Sequence, residues 1–146
     1  MLKNLPLLTL TSLLALSAMT AFISPRALGQ EGWTSREDII ELTSSLGEAL
    51  SDLETALGEV KAPVDLADTW KAAFKLNAEF NAEVSNQLPY SKALLQFGEL
   101  TRQMYQARAM MYENKSVCYL HKIRHRYNKV RLGFRKLERA MNGETN

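Results

Sequence analysis

The 146-residue sequence is poor in the residues that build cross-linked, fibrous or loop-dominated chains. Its single cysteine, Cys118, excludes an internal disulfide framework. Seven glycines and four prolines are too few for a collagen-like chain or a flexible linker. Catalytic signatures are missing as well. There is no Gly-rich phosphate loop, no H-E-x-x-H and no G-x-S-x-G, and neither histidine has an acidic partner on its own helical face. Catalysis is therefore not expected. The 46% hydrophobic content argues against disorder, and the length suits one compact domain.

The first 29 residues differ from the rest. Met1-Leu2-Lys3 gives a short basic start, and an apolar run follows from Leu5 to Ile23. Ser24-Pro25-Arg26 breaks that run, and Ala27 and Gly29 place small residues where a signal peptidase reads. Residues 1–29 thus read as a secretory signal peptide cleaved between Gly29 and Gln30, which predicts a periplasmic or extracellular protein. Pro6 with Thr9, Thr11, Ser12, Ser17 and Thr20 makes the segment a poor permanent span. No cysteine near the junction offers a lipid attachment point, and no later apolar run is long enough to cross a membrane.

Residues 30–146 read as a single helical domain. Apolar positions step by three and four in stretches of about 35–61, 64–86, 91–112 and 115–142. In the first, Ile39, Leu42, Leu46, Ala49, Leu53, Ala56 and Val60 mark the inner face, with Thr34 and Glu37 as a capping box. In the second, Leu66, Trp70, Ala73, Phe74, Phe80 and Val84 do so, and Asn77 interrupts them. The third carries Leu94, Phe97, Leu100, Met104, Ala107 and Met111. The fourth carries Leu120, Ile123, Tyr127, Val130, Phe134, Leu137 and Met141. Ala62-Pro63 and Leu88-Pro89 punctuate the chain, because a residue before proline avoids helical geometry. A phase change near Asn114 separates the last two stretches. The expected fold class is all-α, an up-down-up-down four-helix bundle. The alternative is a helical hairpin plus one long C-terminal helix that dimerises.

The overall charge of +2 hides a segregation. From Gln30 to Leu100 thirteen acidic residues face five basic ones; beyond Leu100 eleven basic residues face three acidic ones. In the expected bundle the acidic first helix lies antiparallel to the basic fourth. Helical geometry lets Arg124, Arg126 and Arg131 reach acidic neighbours, whereas Lys129, Lys136 and Arg139 point away from the core. The outward cations read as a solvated face with no dedicated partner or as a surface for an anionic one, an acidic protein, an acidic polysaccharide or a membrane surface, with the first expected. Nucleic acid is not expected, since no recognition motif occurs. Lys129, Lys136, Arg139, Arg124 and Arg131 are thus the candidate partner-binding residues.

Three further patterns carry chemistry. Cys118, His121 and His125 fall at spacings of three and four, which on one continuous helix would share a face and suit a transition metal. Cationic neighbours oppose such a site, so surface histidines are the expected reading. Haem-binding bundles grip iron between a core-facing Met and His. Met104 faces inward here, but both histidines face outward, and C-x-x-C-H is absent. No cofactor is therefore expected. Tyr105, Tyr112 and Tyr119 recur every seven residues near Arg102, Arg108 and Arg126. They read as bundle-edge tyrosines or as an aromatic-cationic stripe, with the first expected. Cys118 could join two chains, as could the last helix, and Asn114-Lys115-Ser116 matches a glycosylation sequon.

Overall fold

Ser35 opens the first helix, α1 (Arg36–Glu59), by accepting a hydrogen bond from the Asp38 amide at 3.0 Å. This satisfies a donor that the first turn leaves without a partner. Thr34 and Glu37 predicted the cap one residue earlier; Ser35 and Asp38 supply the same chemistry in the next register. Trp33, just before the cap, is buried edge-on against Tyr90, with ring centroids 5.2 Å apart.

The computed structural model describes residues 32–144. The expected signal peptide and its cleavage point lie outside them. The described residues are all-helical, with α1 followed by α2 (Val64–Ser85), α3 (Tyr90–Glu113), a single turn α4 (Lys115–Cys118) and α5 (His121–Met141). None of these helices is long and apolar enough to cross a membrane.

Three helices end by the same device. After α1, the Lys61 amide donates to Gly58 and the Ala62 amide to Leu57, with Lys61 in the left-handed region at φ 52°. After α2, Gln87 donates to Val84 and Leu88 to Glu83, with Gln87 at φ 67°. After α5, Gly143 donates to Ala140 and Glu144 to Arg139, with Gly143 at φ 71°. Each is a Schellman closure, which satisfies two helix-end carbonyls. Glycine does this without steric cost; Lys61 and Gln87 do not.

Packing joins α1 to both α2 and α5, and α2 to α3. The α1–α5 pair is antiparallel. At one end the Thr34 amide donates to the Ala140 carbonyl at 3.0 Å, and at the other Lys122 pairs with Glu59. Between α1 and α2, the Arg36 guanidinium donates to the carbonyls of Val84 (2.9 Å) and Leu88 (3.0 Å). It thereby places positive charge at the C-terminal end of a helix whose last turn has no basic residue. Midway along, the buried Asn77 amide donates to the Thr43 carbonyl at 2.8 Å, and the Asn81 amide to the Thr43 hydroxyl at 2.6 Å. Asn77 is therefore an interhelical tie rather than an interruption.

The core holds Trp70, Phe80, Ile39, Leu46, Leu53, Leu100, Met111, Ile123 and Leu137, all essentially fully buried. Each contributes about 1.5–3 kcal/mol by leaving water. The observed inner faces differ from the expected stripes in detail. On α1, Thr43, Leu50 and Leu57 are buried, while Leu42, Ala49 and Val60 are partly exposed. On α3, Ala93 is buried and Leu94 is 40% exposed.

The expected fourth helix is the main correction. It is broken at Tyr119–Leu120, where Leu120 is extended (φ −60°, ψ 127°) and serves as the N-cap of α5. Leu120 is 43% exposed and does not begin the core stripe, which starts at Ile123. On an unbroken helix, Val117 and Cys118 would point well away from the face of Ile123. The break lets both pack against the core instead.

Replacing Lys61 or Gln87 by glycine should raise the unfolding free energy by about 0.5–1 kcal/mol each, because the left-handed strain is relieved. Chemical denaturation measures this, and a loss of stability in both variants would contradict the described closures.

Candidate anion-binding surface and pocket

The chemistry of α5 follows from its helical wheel. Ile123, Tyr127, Val130, Phe134, Leu137 and Met141 occupy one buried arc, so its eight cations must occupy the remainder. Lys122, Arg124, Lys129, Arg131, Arg135, Lys136 and Arg139 are exposed or partly so, as is Arg126. Among the described residues, Lys122 is the α5 cation that forms an ion pair, with Glu59 of α1. Two other ion pairs, Lys75–Glu79 and Arg102–Glu99, are local to α2 and α3. Complementarity with the acidic α1 therefore engages one end of α5 and leaves the rest of its charge to solvent.

That charge divides into two sides. Lys122 contacts α1, and Gly133 lies beside Leu46, so this flank of α5 faces α1. Helical geometry puts Lys129 and Lys136 on the same flank, two and four turns further on. Arg131 and Arg135 line the opposite flank, facing α3. Arg124 shares that side, and Arg139 lies near the outer apex. The five candidate partner-binding residues all reach solvent, but they form two stripes rather than one ridge.

Between α3 and α5 the helices meet through rings rather than by close backbone approach. Phe97 lies 6.1 Å from Phe134, Tyr105 lies 6.4 Å from Phe134, and Tyr112 lies 6.3 Å from Tyr127, centroid to centroid. Behind them Trp70 of α2 meets Tyr127 edge-on at 5.8 Å. The separation leaves a cavity of about 410 Å³. Trp70, Met104, Tyr127, Val130 and Phe134 supply its apolar surface; Arg108, Arg131 and Arg135 supply positive charge. Glu138 is its one carboxylate, and it accepts a 3.3 Å hydrogen bond from the Tyr105 hydroxyl.

The electrostatics match this layout. Tyr112 is held below the ordinary phenol range, first by the neighbouring Tyr127 and then by Arg108. The Arg108 guanidinium lies 5.5 Å from the Tyr112 ring centroid, and Tyr112 holds it protonated more firmly than usual. Tyr127 is pushed above the phenol range, first by burial and then by Tyr112. The two phenols feel one another, yet the Tyr127 hydroxyl makes no hydrogen bond of full geometry among the described residues. Trp70 Nε1 is likewise buried without a partner among them. Unmade hydrogen bonds at buried groups are costly, so the Trp70 donor at this cavity is notable.

The metal and haem candidates are placed differently. Cys118 ends α4 and is half-buried as a free thiol, whereas His121 and His125 lie on α5 beyond the break and are exposed. The spacing that would align all three thus crosses a helix boundary. Among the described residues no three His, Cys, Asp or Glu side chains come together as a metal cluster. Met104 is buried and lines the α3–α5 cavity, whose lining contains no histidine.

The cavity itself was only partly legible in the sequence. The Tyr105–Arg108–Tyr112 portion of the seven-residue tyrosine pattern does flank it, while Tyr119 is 71% exposed in the α4–α5 link. Arg135 and Trp70 carried no sequence signal beyond charge and core periodicity. Comparison with protein-family models, curated proteins and solved structures returned no match. The geometry alone therefore carries the functional reading.

Tyr127→Phe should change stability by no more than about 1 kcal/mol in either direction, because the buried hydroxyl makes no hydrogen bond of full geometry among the described residues and has Tyr112 as its one phenol neighbour. Phe134→Ala should cost about 3–5 kcal/mol, because its ring spaces α3 from α5 and fills the core behind the cavity. Thermal unfolding of both variants tests the contrast; a large loss in Tyr127→Phe would mean that its hydroxyl is structurally bonded.

Proposed function

We propose that residues 30–146 form an exported up-down-up-down four-helix bundle that acts by binding rather than catalysis. In this reading α4 and α5 together stand as the fourth helix, and the outer face of α5 contacts an anionic macromolecular partner. Support for the topology comes from the short connections and from the neighbours of α1 and α2. The binding role is carried by one observation: among the described residues, seven of the eight cations on α5 lack an ion pair, although the adjacent α1 is acidic. A charge stripe used only to dock α5 would be spent against α1.

The partner is read by charge, so exposure and salt sensitivity are its signatures. Lys129, Lys136 and Arg139 point outward and can meet a flat or extended anionic surface without repacking the core. Export follows from the Met1–Gly29 segment, and the mature chain would begin at Gln30.

Three probes test the proposal: vesicles containing anionic phospholipid, a sulfated polysaccharide, and an acidic polypeptide. The protein should bind at least one of them, with affinity falling as salt rises. K129E/K136E/R139E should weaken that binding on the order of 100-fold, given about 1 kcal/mol per surface cation against an anionic surface. Binding that ignores both the triple reversal and salt would overturn the reading. Intact mass of the secreted product should correspond to a chain starting at Gln30.

A further inference from the structure

The cavity between α3 and α5 is accounted for neither by the core nor by the outward charge. Its volume, about 410 Å³, lies within the range of small-molecule pockets. Its floor is aromatic and aliphatic, through Trp70, Met104 and Phe134, while the larger share of its lining is polar. Its charge is cationic: Arg131 and Arg135 stand one turn apart on α5, and Arg108 lines it from α3. We infer that this cavity binds a small amphipathic organic anion, with its apolar body against Trp70, Met104 and Phe134 and its anionic group among Arg108, Arg131 and Arg135.

Four observations converge on that ligand class. First, none of the three arginines forms an ion pair among the described residues. Arginine presents a planar fork of donors suited to a carboxylate, sulfonate or phosphate, and two such groups at i and i+4 repel one another until an anion lies between them. Second, the lining holds three arginines against one carboxylate, Glu138, which accepts from Tyr105, so the cavity keeps an excess of positive charge. Third, Trp70 Nε1 is a buried donor without a hydrogen-bond partner among the described residues, and Trp70 lines the cavity. Fourth, Tyr105 (52% exposed) and Leu132 (55% exposed) extend the apolar lining out to the rim, where a ligand body could be partly covered. A bare inorganic anion would use the arginines and leave the aromatic surface idle. An uncharged apolar molecule would use the surface and leave the arginines idle.

The site is distinct from the outer stripe. Lys129 and Lys136 lie on the α1-facing flank of α5 and do not line the cavity. Binding in the cavity and binding by the outer stripe are therefore separable through residues other than Arg131, which is exposed and also lines the cavity.

Anilinonaphthalene sulfonate is a suitable probe, because it joins a flat aromatic body to one anionic group and reports binding by fluorescence. Titration calorimetry and fluorescence on the folded protein should give saturable, one-to-one binding. R108Q/R135Q should weaken it by about tenfold or more, as these are charge-assisted contacts at exposed side chains. K129Q/K136Q should leave it unchanged, and the uncharged analogue phenylnaphthylamine should bind much more weakly. Octanoate should compete and inorganic phosphate should not. Absence of saturable binding would overturn the inference, as would binding that is indifferent to R108Q/R135Q or shared equally by the uncharged analogue. Competition by inorganic phosphate as effective as that by octanoate would overturn it too, since the apolar body would then contribute nothing.

Discussion

The structure depends on burying one narrow apolar arc of α5. That helix has eight cations in 21 residues, and several stand at i and i+4: Lys122 with Arg126, Arg131 with Arg135, Arg135 with Arg139. Each such pair opposes the isolated helix by a few tenths of a kcal/mol, and the first turn places His121, Lys122 and Arg124 at the positive end of the helix dipole. Within α5 only Arg139 in the last turn and Glu138, three residues after Arg135, offset this. What holds it is the packing of Ile123, Val130, Phe134, Leu137 and Met141 in the core, with Glu59 neutralising Lys122 at the vulnerable end. Once that arc is buried, the position of every cation on the helix is decided.

The two flanks of α5 then present different chemistry. Towards α1 come Lys122, Lys129 and Lys136, compact and strongly hydrated charges on flexible stems, with Arg126 among them donating to the Lys122 carbonyl. Towards α3 come arginines, which stack on rings and pair with anions in fixed planar geometry. The α1 flank packs closely, as Gly133 against Leu46 illustrates: a methyl group added to Gly133 would meet a Leu46 side-chain carbon at 3.6 Å. The α3 flank is propped open by Phe97, Tyr105 and Phe134. Close packing leaves charge only at the surface; separation by rings leaves a concave space into which charge can be focused.

Much of this was legible beforehand, for identifiable reasons. The core faces of the long helices obey a three-four rhythm because each is buried on one side, and Ile123 to Met141 follow it without a miss. The antiparallel fit of an acidic α1 to a basic α5 was readable from charge and loop length. Neighbouring registers were harder: Ser35 and Thr34 have the same capping chemistry, and Ala93 and Leu94 are both apolar, so only packing decides between them. The break at Leu120 was illegible because no glycine or proline marks it. It arises from a competition, in which seating Val117 and Cys118 wins over continuing a hydrogen-bonded turn. The cavity was illegible in another way, since Trp70, Arg108 and Arg135 come from three different helices and periodicity within each helix says nothing of the distance between them.

Assembly from three helices also decides which residues are informative about function. Arg131 belongs to both candidate surfaces: it is exposed on α5 and it lines the cavity. Its replacement would disturb an extended anionic partner and a small enclosed anion alike. Lys129 and Arg108 have no such ambiguity, because the first lies on the α1-facing flank and the second reaches the cavity from α3. A helix that carries uniform charge in sequence thus becomes two separable surfaces in space, and the separation comes from the aromatic rings that keep α3 away from α5.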